Sequence, residues 1–269
     1  MNNISKNHLI YLKKQKIKAI TINFFRVFLL VAFVFIWEIL AKYNIIDSFI
    51  TSSPSRIVKT LKELFVSSNM AYHTYVTLYE TVLSFALSML FGLSIAILLW
   101  WFNILNKILE PHLVVISALP KIALGPVIIL WVGANQKAII VMALLITIVV
   151  TIMDILSGFM KVEESKIKLL KAMHATKLQI LIKLILPSNI PVIVDCMKIN
   201  VGLCWVGTIM GEYLVSSKGL GYLIVYGKQT FKLDLVMTST ILLCLMAAIM
   251  YFSVEILNKI IRRKYSFDN

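Results

Sequence analysis

The chain has 269 residues, 59% of them apolar, and a mean hydropathy of +0.88. That is more apolar surface than a soluble domain of this size needs, so the composition points to an integral membrane protein. The formal net charge is +14, but the lysines and arginines sit mostly between apolar runs, with no aromatic-interleaved basic patch outside them, which argues against a nucleic-acid partner.

The N-terminus is basic, with Lys6, Lys13, Lys14, Lys16, Lys18 and Arg26. The apolar run that follows is too long for a signal peptide and ends without a small-residue cleavage site, so a retained span is expected. Six spans of about 20 residues can be drawn: Phe24–Ala41, Val76–Trp101, Ile108–Val132, Ala138–Phe159, Val192–Gly211 and Val236–Ile261. This divides the chain into a basic tail (1–23), a six-helix membrane domain (24–263, with a core of about 70–260) and a short tail (264–269). The expected fold class is all-α and polytopic. With the N-terminus inside, inner segments hold 17 of the 27 basic residues and outer segments 8, which predicts both termini in the cytoplasm.

Ser52–Ser68 reads as an amphipathic surface helix or a connector covering the bundle. The third span holds Pro111, Pro120 and Pro126. Each internal proline removes a backbone donor, and freed backbone groups at membrane depth need protein or water beside them. A span broken twice is therefore expected to line a pathway; simple packing kinks are the competing reading. Ionisable residues within spans include Glu38, Glu80, Lys121, Asp154, Asp195 and Lys198. Such residues tend to be paired or functional, and Asp195 and Lys198 are spaced to pair on one helix. The cysteines, Cys196, Cys204 and Cys244, lie in apolar spans without metal-ligand or disulfide spacing.

The longest charged interruption is the loop 161–187. Lys161, Lys166, Lys168, Lys171, Lys177 and Lys183 punctuate it. Leu178, Leu181, Ile182 and Ile185 fall at helical spacing. Thr176 with Gln179 fits a capping box, so a second short helix starts near Thr176. Leu169, Leu170 and Met173 suggest a first short helix, whose stripe Ile167 interrupts. Pro187 and Pro191 are expected to end the second helix and open the next span. Two short helices joined near His174 can hold a partner protein; a solvated basic linker is the alternative. No phosphate-binding loop, H-E-x-x-H or G-x-S-x-G occurs. No catalytic or metal site is expected, and any ATP must be bound by another chain.

Leu186–Leu214 and the following Ser217–Ile224 resemble permease subunits of ABC importers of the nitrate, sulfonate and taurine type. The residues that carry this are Pro187, Pro191, Lys198, Gly202 with Trp205, Glu212 and Gly219-Leu220-Gly221. Pro120 to Pro126, Gly133, Lys137, Trp37-Glu38 and Ser53-Pro54-Ser55 match too. The resemblance implies a type I importer fold in a bacterial cytoplasmic membrane. It also implies a second permease copy, two cytoplasmic ATPase subunits that bind ATP and Mg, and an extracytoplasmic substrate-binding protein. The ATPases would dock on Glu163, Glu164, Lys168, Leu169, Leu170, Met173, His174 and Ala175, with Pro187 anchoring the loop. Pathway candidates are Pro120, Ala123, Pro126, Lys198, Gly202, Trp205, Thr208 and Glu212. The substrate class is a small organic or inorganic anion or a vitamin precursor. The sequence departs from the family loop motif: Glu-Ala-Ala is Lys168-Leu169-Leu170, and the glycine is His174. The rival readings are an ion-gradient-driven transporter and a membrane scaffold without transport.

Overall fold

The computed structural model describes residues 6–66 and 69–265, all of its regular structure helical. The ends of both tails and the last two residues of the Ser52–Ser68 segment lie outside the described residues. Five helices are long and apolar enough to cross a membrane: α1 (Lys6–Lys42), α4 (Asn69–Trp101), α7 (Gln136–Met160), α11 (Ile190–Val215) and α13 (Leu233–Tyr265). The pair α5 (Asn103–Ala118) and α6 (Gly125–Val132), linked by the 3-10 turn Lys121–Leu124 and bent by 86°, makes a sixth span if the two helices together form one crossing and a re-entrant segment otherwise. The remaining helices are α2 (Ser48–Thr51), α3 (Pro54–Val66), α8 (Glu164–Ala172), α9 (Lys177–Ile180), α10 (Leu186–Ser188) and α12 (Leu220–Gln229).

The centre is a three-helix core of α4, α7 and α11, with α13 and α12 packed on α11. Small residues allow the close approach expected between membrane helices. A Cβ at Gly207 would lie 2.5 Å from Ala143 Cα, and one at Gly211 2.9 Å from Ile139 Cγ2. In contrast, α1 meets α2 and α3 near its C-terminal end and leaves Phe24, Phe28, Leu30 and Phe33 uncovered. Its Glu38 carboxylate accepts hydrogen bonds from Ser55 N (3.0 Å) and Ser55 Oγ (2.8 Å). An anion there favours the α3 N-terminus. Arg56 then ties α3 to α13, donating to Asp234 Oδ2 through Nε (3.1 Å) and a terminal nitrogen (2.7 Å).

The third span breaks once, not twice. Pro111 lies inside α5, the break falls at Leu119–Pro120, and Pro126 sits in the first turn of α6. A proline in the first turn removes a donor that has no partner within the helix anyway. Asn135 caps α7, its Oδ1 accepting from Lys137 N at 2.9 Å. The long helices overrun their sequence-drawn spans at one or both ends, while α4 ends at Trp101 as drawn.

Candidate partner-docking loop and translocation pathway

The loop between α7 and α11 is two helices and a tight turn. α8 ends in a Schellman motif: Ala175 N donates to Leu170 O (3.0 Å), and His174 N donates to Lys171 O (2.9 Å). His174, at the position where the family motif has glycine, adopts φ +59°. Thr176 opens the second helix with a complete capping box: Gln179 N donates to Thr176 Oγ1 (3.3 Å), and Thr176 N donates to Gln179 Oε1 (2.8 Å).

Pro187 does not end this second helix. α9 passes into a π-turn over Leu181–Ile185, where Leu186 N donates to Leu181 O, five residues back. The helix resumes as α10 through Pro187 and stops at Asn189. A proline inside an α-helix clashes with the preceding turn; the wider π-turn lies just before it. Asn189 fastens the junction, its Nδ2 donating to Ile185 O (2.8 Å). A Cβ at Gly158, near the end of α7, would lie 2.6 Å from Asn189 Oδ1.

The loop is seated on the bundle. Ile180, Leu181 and Ile185 are buried with Leu99, Ile155, Leu156 and Phe159. Ile167, Leu170, Ala175 and Leu184 pack against the same cluster. Ile167 therefore belongs to the inward stripe of α8 with Leu170, three residues on. Leu169 and Met173 point outward and are 63% and 70% exposed; Leu178 and Ile182 are exposed on the second helix. The four-residue face Leu178-Leu181-Ile182-Ile185 thus splits, with Leu181 and Ile185 inside and the other two outside. Lys177 Nζ donates to Trp101 O and lies 5.3 Å from the Trp101 ring centroid, fixing the loop to the end of α4. Lys168 pairs with Glu164 (3.1 Å) and Lys166 with Glu163 (3.3 Å). These pairs are exposed and contribute little stability.

The pathway candidates fall into three environments. Pro120, Ala123, Pro126 and Gly202 are exposed. Gly202 shares the uncovered α11 face with Ile199 and Val206, and nothing lies within 4 Å of a Cβ built on it. Trp205, Thr208 and Glu212 are buried inside the bundle. Lys198 is ion-paired, 2.6 Å from Glu255 Oε2 and 3.5 Å from Asp195 Oδ1. Arg262 also donates to Asp195 Oδ2 (3.0 Å), so the cluster joins α11 to α13. Glu255 lies within the sixth span drawn from the sequence, but its pairing with Lys198 joins two different helices and is not encoded in the periodicity of either.

Glu212 explains the two glycines after it. Its carboxylate accepts from Thr77 Oγ1 (2.6 Å) and Gly221 N (2.5 Å). Leu220 N donates to Thr77 Oγ1 (2.7 Å), and Gly219 N to His73 Nδ1 (2.9 Å). Gly219 stands at φ +102°, and a Cβ there would overlap the Glu212 carboxylate.

The described residues form a helical bundle of membrane-spanning length with one bent helix pair and a basic two-helix loop seated on it, an architecture compatible with a membrane transport subunit. Residues 88–267 match the family described as binding-protein-dependent transport system inner membrane component. A probable ABC transporter permease protein of Haemophilus influenzae is 30% identical over 221 residues, covering 82% of this chain and 89% of that one. A putative aliphatic sulfonates transport permease protein of Bacillus subtilis is 25% identical, covering 87% of this chain and 85% of that one. A formylaminopyrimidine transport permease protein of Halalkalibacterium halodurans is 29% identical, covering 70% and 74%. Among solved structures, the inward-facing MetNI methionine ABC transporter matches with TM-score 0.61 and 21% identity, over 70% of this chain and 93% of that chain. The chain belongs to the binding-protein-dependent transport system inner membrane component family. It is a multi-pass permease subunit of an ABC importer.

Proposed function

We propose that two copies of this chain form the substrate pathway of an ATP-driven importer and that ATPase subunits drive it through the loop 161–187. The observation that carries this reading is the two-sided loop. Ile167, Leu170 and Ala175 hold it to the bundle, while Leu169 and Met173 stay uncovered. Apolar side chains displayed on a short helix suit docking in a groove. The loop continues into α11 through Asn189, so force applied at α8 reaches the spans. ATP then shifts the complex between inward and outward states only if it contacts them differently.

In this reading both termini and the loop are cytoplasmic, and a separate binding protein delivers substrate at the opposite end of the bundle. ATP and Mg are held by the partner ATPase. The relatives named for aliphatic sulfonates and formylaminopyrimidine support uptake of a small organic or inorganic anion or a vitamin precursor. Reconstitution with the ATPase and binding protein tests it: uptake should require ATP and survive uncouplers. Uptake that persists without ATP and collapses with the ion gradient would establish the secondary-transporter reading instead.

A further inference from the structure

The bent pair α5–α6 carries a charge into the bundle. Lys121 opens the turn between the two helices, directly after Pro120. Its Nζ donates to Ile146 O, a backbone oxygen of α7, at 3.4 Å. At 1.5 Å per residue, Ile146 stands about 15 Å from one end of α7 and about 21 Å from the other. The ammonium therefore lies at mid-depth, not at a helix end, where a snorkelling lysine puts its charge.

A lysine at that depth is costly unless it is paired or faces a water-filled cavity. Lys121 makes no ion pair among the described residues. Asp154 is the one acid on α7. It lies about 12 Å beyond Ile146 along the helix and is likewise in no ion pair among the described residues. The bond to Ile146 O is longer than an ordinary N–H···O bond and leaves the charge uncompensated. Lys198, in contrast, is taken by Glu255 and Asp195. Beside the half-buried Lys121 the turn is open: Ile122, Ala123 and Leu124 are uncovered.

We propose that Lys121 is an anion-binding residue of the translocation pathway. It selects substrates bearing a sulfonate, carboxylate or similar singly charged acid group over neutral ones. The inference rests on the reading that two copies of this chain enclose the pathway. It adds which residue meets the substrate and which charge that residue recognises. Inside the bundle a single charge is screened far less than at the surface, so one ammonium group separates anions from cations at the turn.

The test introduces Ala123→Cys beside Lys121 in the full-length chain, together with Cys244→Ser; Cys196 and Cys204 are buried. The permease and its ATPase are held in phosphatidylcholine nanodiscs, with and without ATP. Labelling rates are compared for anionic sulfonatoethyl, neutral hydroxyethyl and cationic trimethylammonioethyl methanethiosulfonates, each relative to its rate with a free thiol. The anionic reagent should outpace the other two. Lys121→Gln should lower the anionic-to-cationic ratio about tenfold or more, and Lys121→Arg should keep it. A ratio unchanged in Lys121→Gln overturns the anion site and leaves the pathway reading intact. So does a ratio lost in Lys121→Arg, because charge would then not be what selects. If no reagent labels Ala123→Cys in either nucleotide state, the anion site and a pathway at this turn both fall, because the turn would face lipid or protein.

Discussion

Gly221 N donates to Glu212 Oε2 at 2.5 Å, and a Cβ on Gly221 would stand 2.7 Å from that oxygen. The hydrogen bond and the missing side chain are one fact: the turn must press its backbone onto the carboxylate to neutralise a buried acceptor. Gly221→Ala should therefore destabilise the chain by about 1–3 kcal/mol through overpacking. Gly202→Ala, with open space around it, should leave stability unchanged or raise it by about 0.5–1 kcal/mol. Thermal unfolding of the two variants checks this contrast. If α11 lines the pathway with its uncovered face, Gly202→Trp should abolish uptake without lowering Tm.

His174 bears a positive φ without the glycine that usually supplies it. The left-handed conformation costs an L-residue roughly 1–2 kcal/mol. His174→Gly should thus be neutral or stabilising by up to about 1 kcal/mol, the gain being offset by the extra freedom of an unfolded glycine. His174→Val, with a branched Cβ in the same conformation, should be clearly destabilising. Unfolding midpoints read both.

This turn also shows how far the sequence carries. Thr176 and Gln179 announced their capping box because the signal is local, three residues apart. The position of His174 was legible from its distance to Pro187. What the π-turn does was not: Pro187 looked like a helix stop, and only the looser hydrogen bonding of Leu181–Ile185 lets the helix run on to Asn189. The split of Leu178 and Ile182 from Leu181 and Ile185 was hidden for the same reason, since the π-turn alters the helical phase. Five of the six expected spans were legible as single long helices because membrane length and hydropathy fix them, while the third became the bent pair α5 and α6. Which faces of α11 are open, and that Glu255 meets Lys198, depended on tertiary packing, which no periodicity in one helix encodes.

Lys198 sits within reach of both Glu255 and Asp195. Removing one member of a half-buried pair strands the other. Lys198→Met should lower the unfolding midpoint, and adding Glu255→Gln should restore part of it, the two changes being non-additive. Substrate affinity should be unchanged in both. Loss of affinity with unchanged Tm would place Lys198 in the pathway as an anion ligand.

Orientation has its own test. The basic excess in the tails and the loop predicts a cytoplasmic C-terminus. A reporter fused after Asn269 should register inside; an external signal would mean that α5 and α6 form a re-entrant segment rather than a crossing.

The claim that the loop receives the ATPase is tested on its outer face. Leu170 is unsuitable as the probe, because it packs into the chain's own cluster and a charge there would damage the fold. Leu169 and Met173 are open. Leu169→Glu and Met173→Glu should leave membrane insertion and Tm unchanged and cost about 2 kcal/mol or more of docking energy each. The decisive measurement is co-purification of the ATPase with the permease in detergent, beside ATP-dependent uptake. Retention should be roughly thirtyfold weaker, with a parallel fall in uptake; full retention with full uptake in both variants would contradict ATPase docking on this loop.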